Sequence, residues 1–175
     1  MLLLLLSLAI APGIAISLFI YSFRRLKQGS IRHLVIAFLL GACATALPFI
    51  LQQIAGDARE EPYRHSIVSV AWYAFIVVAF TEEASKFLVL RWYAYPLRSF
   101  VEPFDGIIYS VMIGMGFATV ENIEYVWKFG VETGISRMFL AVPAHASFAV
   151  LLGYHVGWAR FRPAHYRWLM WKGKI

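Results

Sequence analysis

Five ionisable residues stand within otherwise apolar stretches of the chain and are the first candidates for chemistry: Glu82, Glu83, Lys86, Glu121 and His145. Lys86 follows Glu82 by four residues and Glu83 by three, so on a helix one ammonium can neutralise one of the two carboxylates. The other glutamate then requires protonation or a bound cation. An ionisable group in hydrocarbon costs about 2.5–3.5 kcal/mol even on the lenient insertion scale. We therefore expect a functional site, with a packing ion pair between Glu82 and Lys86 as the structural alternative.

Helical spacing places these charges at similar depths below one face of a membrane. Glu82 and Glu83 lie ten residues beyond Trp72, an aromatic residue of the type found at membrane interfaces, which corresponds to about 15 Å along a helix. The same measure puts Glu121 and His145 about 6–12 Å below that face. Two acids and an imidazole from three helices are therefore expected to meet in the outer half of the bilayer.

Small residues recur at four-residue spacing on the two stretches that carry Glu121 and His145. The first stretch has Ser110, Gly114, Ala118 and Asn122 beside Phe117, and the second has Ala141, His145, Ala149, Gly153 and Gly157. Such stripes let helix backbones approach closely. His145 is expected to face protein rather than lipid, and Asn122 is placed to orient a ligand or to hydrogen-bond a carboxylate.

An imidazole and two or three carboxylates form a nitrogen and oxygen donor set that suits Zn²⁺ or, less specifically, another divalent ion. A metal ion polarises a carbonyl group, while a glutamate that does not bind the metal accepts a proton from water. This chemistry predicts metal-assisted hydrolysis of an amide in a membrane-embedded substrate. Two alternatives stay open: an ion- or proton-coupled carrier, since buried carboxylates also serve proton relays, and a catalytically inactive membrane scaffold.

The elements that position these residues are long apolar helices. Hydrophobic residues form 61% of the 175-residue chain and charged residues 15%, against about 45–50% and about 25% in soluble domains. This composition excludes a disordered chain, and the single cysteine, Cys43, excludes an internal disulfide. We predict an all-α polytopic membrane helix bundle in one transmembrane domain, residues 1–175, with five spans near 2–23, 34–56, 66–95, 104–127 and 138–159.

Basic residues cluster after the first, third and fifth predicted spans. The positive-inside rule then places the N-terminus outside and the C-terminus in the cytoplasm. This arrangement accounts for the net charge of +6 with a lipid bilayer as partner and no nucleic acid. The first apolar stretch lacks the basic flank of a signal peptide, so we expect it to remain as a membrane anchor.

Three motifs follow one another along the chain: Glu82-Glu83-Ala84-Ser85-Lys86, Phe117-Ala118-Thr119-Val120-Glu121-Asn122 and Pro143-Ala144-His145. Their combination, within residues 70–160, resembles the PrsW family of intramembrane metalloproteases, a relative of the CAAX-processing type II proteases. The resemblance implies a multi-pass protease of the bacterial plasma membrane that cleaves a membrane-spanning protein, such as an anti-sigma factor in regulated intramembrane proteolysis.

The resemblance also implies a role for each site residue. Glu82 or Glu83 would be the catalytic base, and Glu121 and His145 would hold the metal, expected to be zinc, or its water. Lys86, Asn122 and Phe117 would be supporting residues. Glu83 is the preferred base in this interpretation, because Glu82 has Lys86 as its partner four residues on.

The sequence departs from the family pattern at its C-terminal end. The family usually continues into a further apolar helix that carries another histidine-containing motif, whereas this sequence ends at Ile175, where that helix is expected to begin. If that histidine is a ligand, zinc affinity and activity are expected to depend on it.

Overall fold

The computed structural model describes residues 2–24, 31–57 and 66–162 of the chain. Five helices in these ranges are long and apolar enough to cross a membrane: Leu3–Phe23, Ile31–Ala55, Ile67–Ala94, Pro103–Phe129 and Val131–Phe161. They confirm the predicted all-helical bundle of five spans. The fourth span is central, because 78% of its apolar window is buried against 22% or less in each of the others. The other spans surround it and expose apolar side chains, as lipid contact requires.

Three of the five spans are interrupted, so the bundle contains eight α-helices within the described ranges. They are α1 (Leu2–Arg24), α2 (Ile31–Ala44), α3 (Ala46–Asp57), α4 (Ile67–Trp72), α5 (Thr81–Val89), α6 (Pro103–Phe129), α7 (Val131–Phe139) and α8 (Ala141–Phe161). Two π-helical segments, Tyr73–Phe80 and Leu90–Ala94, flank α5 within the third span. Wide helical turns of this kind often occur at functional sites, and the first segment ends immediately before the α5 turn that carries the paired glutamates.

The central helix α6 begins at a capping box. Asp105 Oδ2 accepts hydrogen bonds from the backbone N–H groups of Val101, at 2.8 Å, and Glu102, at 3.1 Å. Pro103 stands in the first turn, where its missing N–H is not required by the helix. Asp105 is therefore occupied as a structural cap although it is a buried carboxylate.

Glycines let α6 contact two neighbouring helices backbone to backbone. A methyl group on Gly106 would overlap the carbonyl oxygen of Gly153 in α8, and one on Gly153 would overlap that of Gly106. On another face of α6, a methyl group on Gly116 would overlap the carbonyl oxygen of Phe38 in α2. This is the small-residue packing expected between membrane helices, and it holds α8, with His145, directly against α6.

The spans differ from their predicted extents at two places that affect the site. The second span is broken at Thr45, between α2 and α3, with Pro48 in the first turn of α3. The fifth span begins at Val131 instead of residue 138, because a short helix, α7, precedes α8 with a break at Leu140. Arg137, the residue directly before the predicted fifth span, consequently lies inside α7.

The contact between α6 and α8 leads to a stability prediction for Gly153→Ala. The three atoms nearest to the added methyl group are backbone atoms of Gly106 and Ile107, and such overpacking costs about 1–3 kcal/mol. We expect that loss in the free energy of unfolding, measured by denaturant titration in mixed micelles. Leu151→Ala, which truncates a 58% exposed side chain on the same helix, is the control with little effect. Equal stability of the two variants would contradict the close contact.

Candidate metal centre

Three helices bring Glu82, Glu121 and His145 to one point. One potential ligand atom from each residue lies within 4.8 Å of those of the other two, and all three residues are half-buried. Glu82 stands in the first turn of α5, Glu121 in α6 and His145 in α8, where Nε2 is 2.8 Å from Glu121 Oε2. In the described ranges, this is the one group of three or more such residues with metal-ligating potential.

Lys86 connects Glu83 to the histidine. Its ammonium group donates to Glu83 Oε1 at 2.7 Å, lies 2.9 Å from His145 Nδ1 and stands 4.2 Å from the centre of the Phe117 ring. Lys86 is only 2% exposed. An ammonium can only donate, so Nδ1 is the acceptor and Nε2 carries the proton that is donated to Glu121.

The expected pairing of Lys86 with Glu82 is therefore wrong. Both glutamates are within reach of the lysine along the helix, and the neighbouring helices decide between them. Lys86 is directed toward His145 and Phe117, and Glu83 lies on that side of α5. Glu82 is directed toward α3, where Gln52 Nε2 donates to its Oε1 at 3.4 Å. This removes the reason for preferring Glu83 as the base.

Arg137 is a site residue that the sequence analysis missed. Its Nη2 atom lies 2.8 Å from Glu121 Oε2, and its Nε donates to Asn122 Oδ1 at 2.7 Å. The guanidinium also lies 4.1 Å from the centre of the Tyr125 ring. Asn122, buried at 1% exposure, donates in turn to the carbonyl oxygen of Ala9 at 3.3 Å. Asn122 thus acts on the carboxylate through Arg137 rather than by direct contact.

A cavity of about 510 Å³ reaches this centre from between α3 and α6. Its size falls within the range of about 300–1,000 Å³ that is typical of ligand pockets. Glu82 and Glu121 line the cavity, whereas Glu83 and His145 are not among its lining residues. Glu124, paired with Lys128, is a third lining carboxylate, so Glu82 and Glu121 are the two lining carboxylates that belong to the centre itself. Neither member of the Lys86–Glu83 ion pair is among the lining residues.

The charges of the centre leave room for a cation. With every carboxylate ionised, Glu83 faces Lys86 and Glu121 faces Arg137, while Glu82 receives an amide hydrogen bond in place of a cation. The balance is one negative charge next to a nitrogen and oxygen donor set. Divalent ions such as Zn²⁺ prefer such ligands, so the residues present fit the metal that the motifs imply.

Helical architecture and donor set together define a multi-pass membrane protein with a Glu/Glu/His group that could hold a metal ion. Residues 29–175 match the family described as "PrsW family intramembrane metalloprotease". The chain belongs to this family, which confirms the resemblance of its motifs and makes it a member of a peptidase family that implies a metal. No solved structure matches the chain.

Curated relatives are similar over almost the whole chain. It is 34% identical over 168 residues to Protease PrsW of Geobacillus kaustophilus, covering 95% of this chain and 72% of that protein. Similarity to Protease PrsW of Bacillus subtilis is 33% over 165 residues, which covers 93% and 73% of the two chains. The chain is also 32% identical over 159 residues to Protease PrsW of Clostridioides difficile, and this match covers 88% of this chain and 65% of that protein.

The structure distinguishes two ion pairs by their burial. Arg137 and Glu121 are 13% and 17% exposed, whereas Lys128 and Glu124 are 51% and 34% exposed. Arg137→Gln, which leaves a half-buried carboxylate without its cation, is expected to lower the free energy of unfolding by about 3–5 kcal/mol. Lys128→Gln, the matched control, is expected to cost about 0–1 kcal/mol. Similar small losses in both variants would show that Arg137 does not hold Glu121.

Proposed function

We propose that this chain is a zinc-dependent endopeptidase that hydrolyses a peptide bond of a membrane-spanning protein, such as an anti-sigma factor in the bacterial plasma membrane. The observation that supports this proposal is the convergence of Glu82, Glu121 and His145, with ligand atoms within 4.8 Å of one another, at a cavity. Membership of the peptidase family supplies the reaction class.

Glu121 and His145 are the proposed metal ligands. Arg137 holds Glu121 and contacts Asn122, and Lys86 contacts both His145 Nδ1 and Glu83. A metal ion at Nε2 would take the place of the proton on that nitrogen, so the proton would move to Nδ1 and Lys86 would then bind Glu83 alone. A divalent ion bound there would polarise the carbonyl group of the substrate and lower the pKa of a water molecule. Rigid placement of both ligands would hold the metal ion at a fixed position beside the cavity.

Glu82 is the proposed general base. It lines the cavity, and its contact with Gln52 is a neutral hydrogen bond rather than an ion pair. Its carboxylate can therefore accept a proton from the attacking water and return it to the leaving amine. Glu83, whose Oε1 accepts a hydrogen bond from Lys86 at 2.7 Å, is proposed as a positioning residue that holds the lysine in place.

The predicted orientation of the chain in the membrane indicates at which face the substrate is cut. With the N-terminus outside, the Phe129 end of α6 lies at the extracytoplasmic face, and the cavity is lined by residues from that half of the helix. The proposed cut therefore falls near the extracytoplasmic end of the substrate's membrane segment.

The test reconstitutes the protein in liposomes with a tagged single-span anti-sigma factor and measures both cleavage and bound zinc. We expect chelation to stop cleavage and zinc to restore it. Glu82→Gln should keep the metal and lose about 10²–10⁴-fold in rate, whereas Glu121→Gln and His145→Ala should lose metal and cleavage together. Glu132→Gln, which changes an exposed acid of α7, is the control with normal activity.

Each outcome of this assay separates one role from another. If Glu82→Gln also lost the metal, Glu82 would be a ligand and the proposed base would be wrong. If cleavage persisted in the chelated protein, the metal-dependent mechanism would be wrong. Absence of cleavage in the zinc-loaded wild type would contradict the proposed substrate class.

A double-mutant cycle tests the positioning role of Glu83. Glu83→Gln leaves an ammonium that is 2% exposed without its carboxylate, and we expect a loss of about 3–5 kcal/mol in stability. Adding Lys86→Met removes the stranded charge and should recover most of that loss. Because indirect contacts to metal ligands are worth about 10–100-fold, the double variant should retain measurable cleavage. A stable, zinc-loaded double variant as inactive as Glu82→Gln would instead identify Glu83 as the base.

A further inference from the structure

The cavity beside the metal centre has the form of a cleft along α6. The α3–α6 cleft, as we call it, includes Phe49, Gln52, Gln53, Glu82, Glu121 and Tyr125 in its walls. It continues to Lys128, one of its lining residues, which is half exposed at its mouth. The lining of the cleft on α6 runs from Phe117 to Phe129. Glu121 and Lys128, which bound its outer part, are seven residues apart, so this part is about 10 Å long.

One wall of the cleft is the single helix α3. Phe49 and Gln53 line the cleft, whereas their neighbours Ile50 and Ile54 lie outside it with 54% and 62% of their surfaces exposed. The helix thus has one side toward the cleft and apolar side chains toward the surrounding lipid. A molecule that lies in the membrane next to α3 is therefore separated from the catalytic carboxylates by one helix only.

The polar groups of the cleft identify what it can hold. Gln52 and Gln53 bring side-chain amides, each with donors and an acceptor, into a wall at membrane depth. A lipid acyl chain offers such groups no hydrogen bond, and burying an amide without a partner costs about 2–7 kcal/mol. An intact substrate helix offers none either, because its backbone groups are bonded within the helix. An extended peptide offers a free N–H and C=O at each residue.

We propose that the α3–α6 cleft binds the substrate as a short unwound peptide, and that Gln53 hydrogen-bonds its backbone. This inference rests on the proposed function, since Glu82 and Glu121 at the inner end of the cleft are its proposed base and metal ligand. An extended strand rises about 3.3 Å per residue, so the outer part of the cleft, from Glu121 to Lys128, accommodates about three residues. The proposed substrate is accordingly a membrane helix in which about three residues beside the scissile bond are unwound and extended.

Cysteine crosslinking measures the occupant directly. Single cysteines are placed at Phe49 and Gln53, in the cleft, and at Ile50 and Ile54 as matched controls on the same helix, all with Cys43→Ser and Glu82→Gln. The probe is the tagged single-span anti-sigma factor with one cysteine scanned through its span and flanking residues. We expect disulfides to form several-fold more readily at Phe49 and Gln53, within a window of about three consecutive probe residues.

Other crosslinking patterns would overturn the inference. Equal yields at Ile50 and Ile54 would place the probe outside the cleft. Crosslinks that recur every three to four probe residues would show that the substrate binds as an intact helix. Absence of crosslinks at Phe49 and Gln53 would show that the substrate does not enter the cleft. Because crosslinking does not require turnover, a correct pattern with no wild-type cleavage would retain the cleft and reject the proposed protease activity.

A kinetic variant tests the role of Gln53 independently. Gln53→Leu removes the amide with little change in volume, and we expect KM to rise several-fold while kcat and bound zinc stay near the wild-type values. Ile54→Ala, on the lipid-facing side, is the control. An unchanged KM in Gln53→Leu would show that the amide does not contact the substrate backbone.

Discussion

The compensation of charge inside the bundle is the constraint on which the site depends. Charged and polar groups alternate along one connected line of contacts: Glu83, Lys86, His145, Glu121, Arg137 and Asn122. Each ion in this line touches an oppositely charged or hydrogen-bonding partner, which offsets the cost of placing it at membrane depth. A change at one member therefore affects the others, because a buried charge that loses its partner is costly.

Helix packing fixes the relative positions of the helices that carry this line of contacts. Close backbone contact through Gly106 and Gly153 sets the position of α8 against α6, and with it the short distance from His145 to Glu121. The break at Leu140 lets α7 direct Arg137 to the same carboxylate from another side. A single small residue or helix break does not fix the position of a charge. Together, these features bring charges on separate helices into contact.

Local spacing and membrane depth were sufficient to predict five spans and the meeting of Glu121 with His145, because both follow from helical rise and from small-residue stripes. The partner of Lys86 was not predictable, since two glutamates were equally within reach on one helix. Arg137 was missed because a basic residue near a span boundary is usually an interfacial charge. The contact of Gln52 with Glu82 joins α3 to α5 across 30 residues of sequence, and nothing in the local pattern specifies it.

The line of contacts also extends beyond the part of the chain that matches the family profile. That match begins at residue 29, yet Asn122, which holds Arg137, donates to the carbonyl oxygen of Ala9 in α1. A helix carbonyl is normally bonded within its helix, so the amide N–H of Asn122 donates to a fixed acceptor rather than a mobile one. With its amide held on α1 and its oxygen turned to the guanidinium, Asn122 cannot rotate without losing both contacts. The first helix therefore stabilises the geometry of Glu121 although it contributes no side chain to the centre.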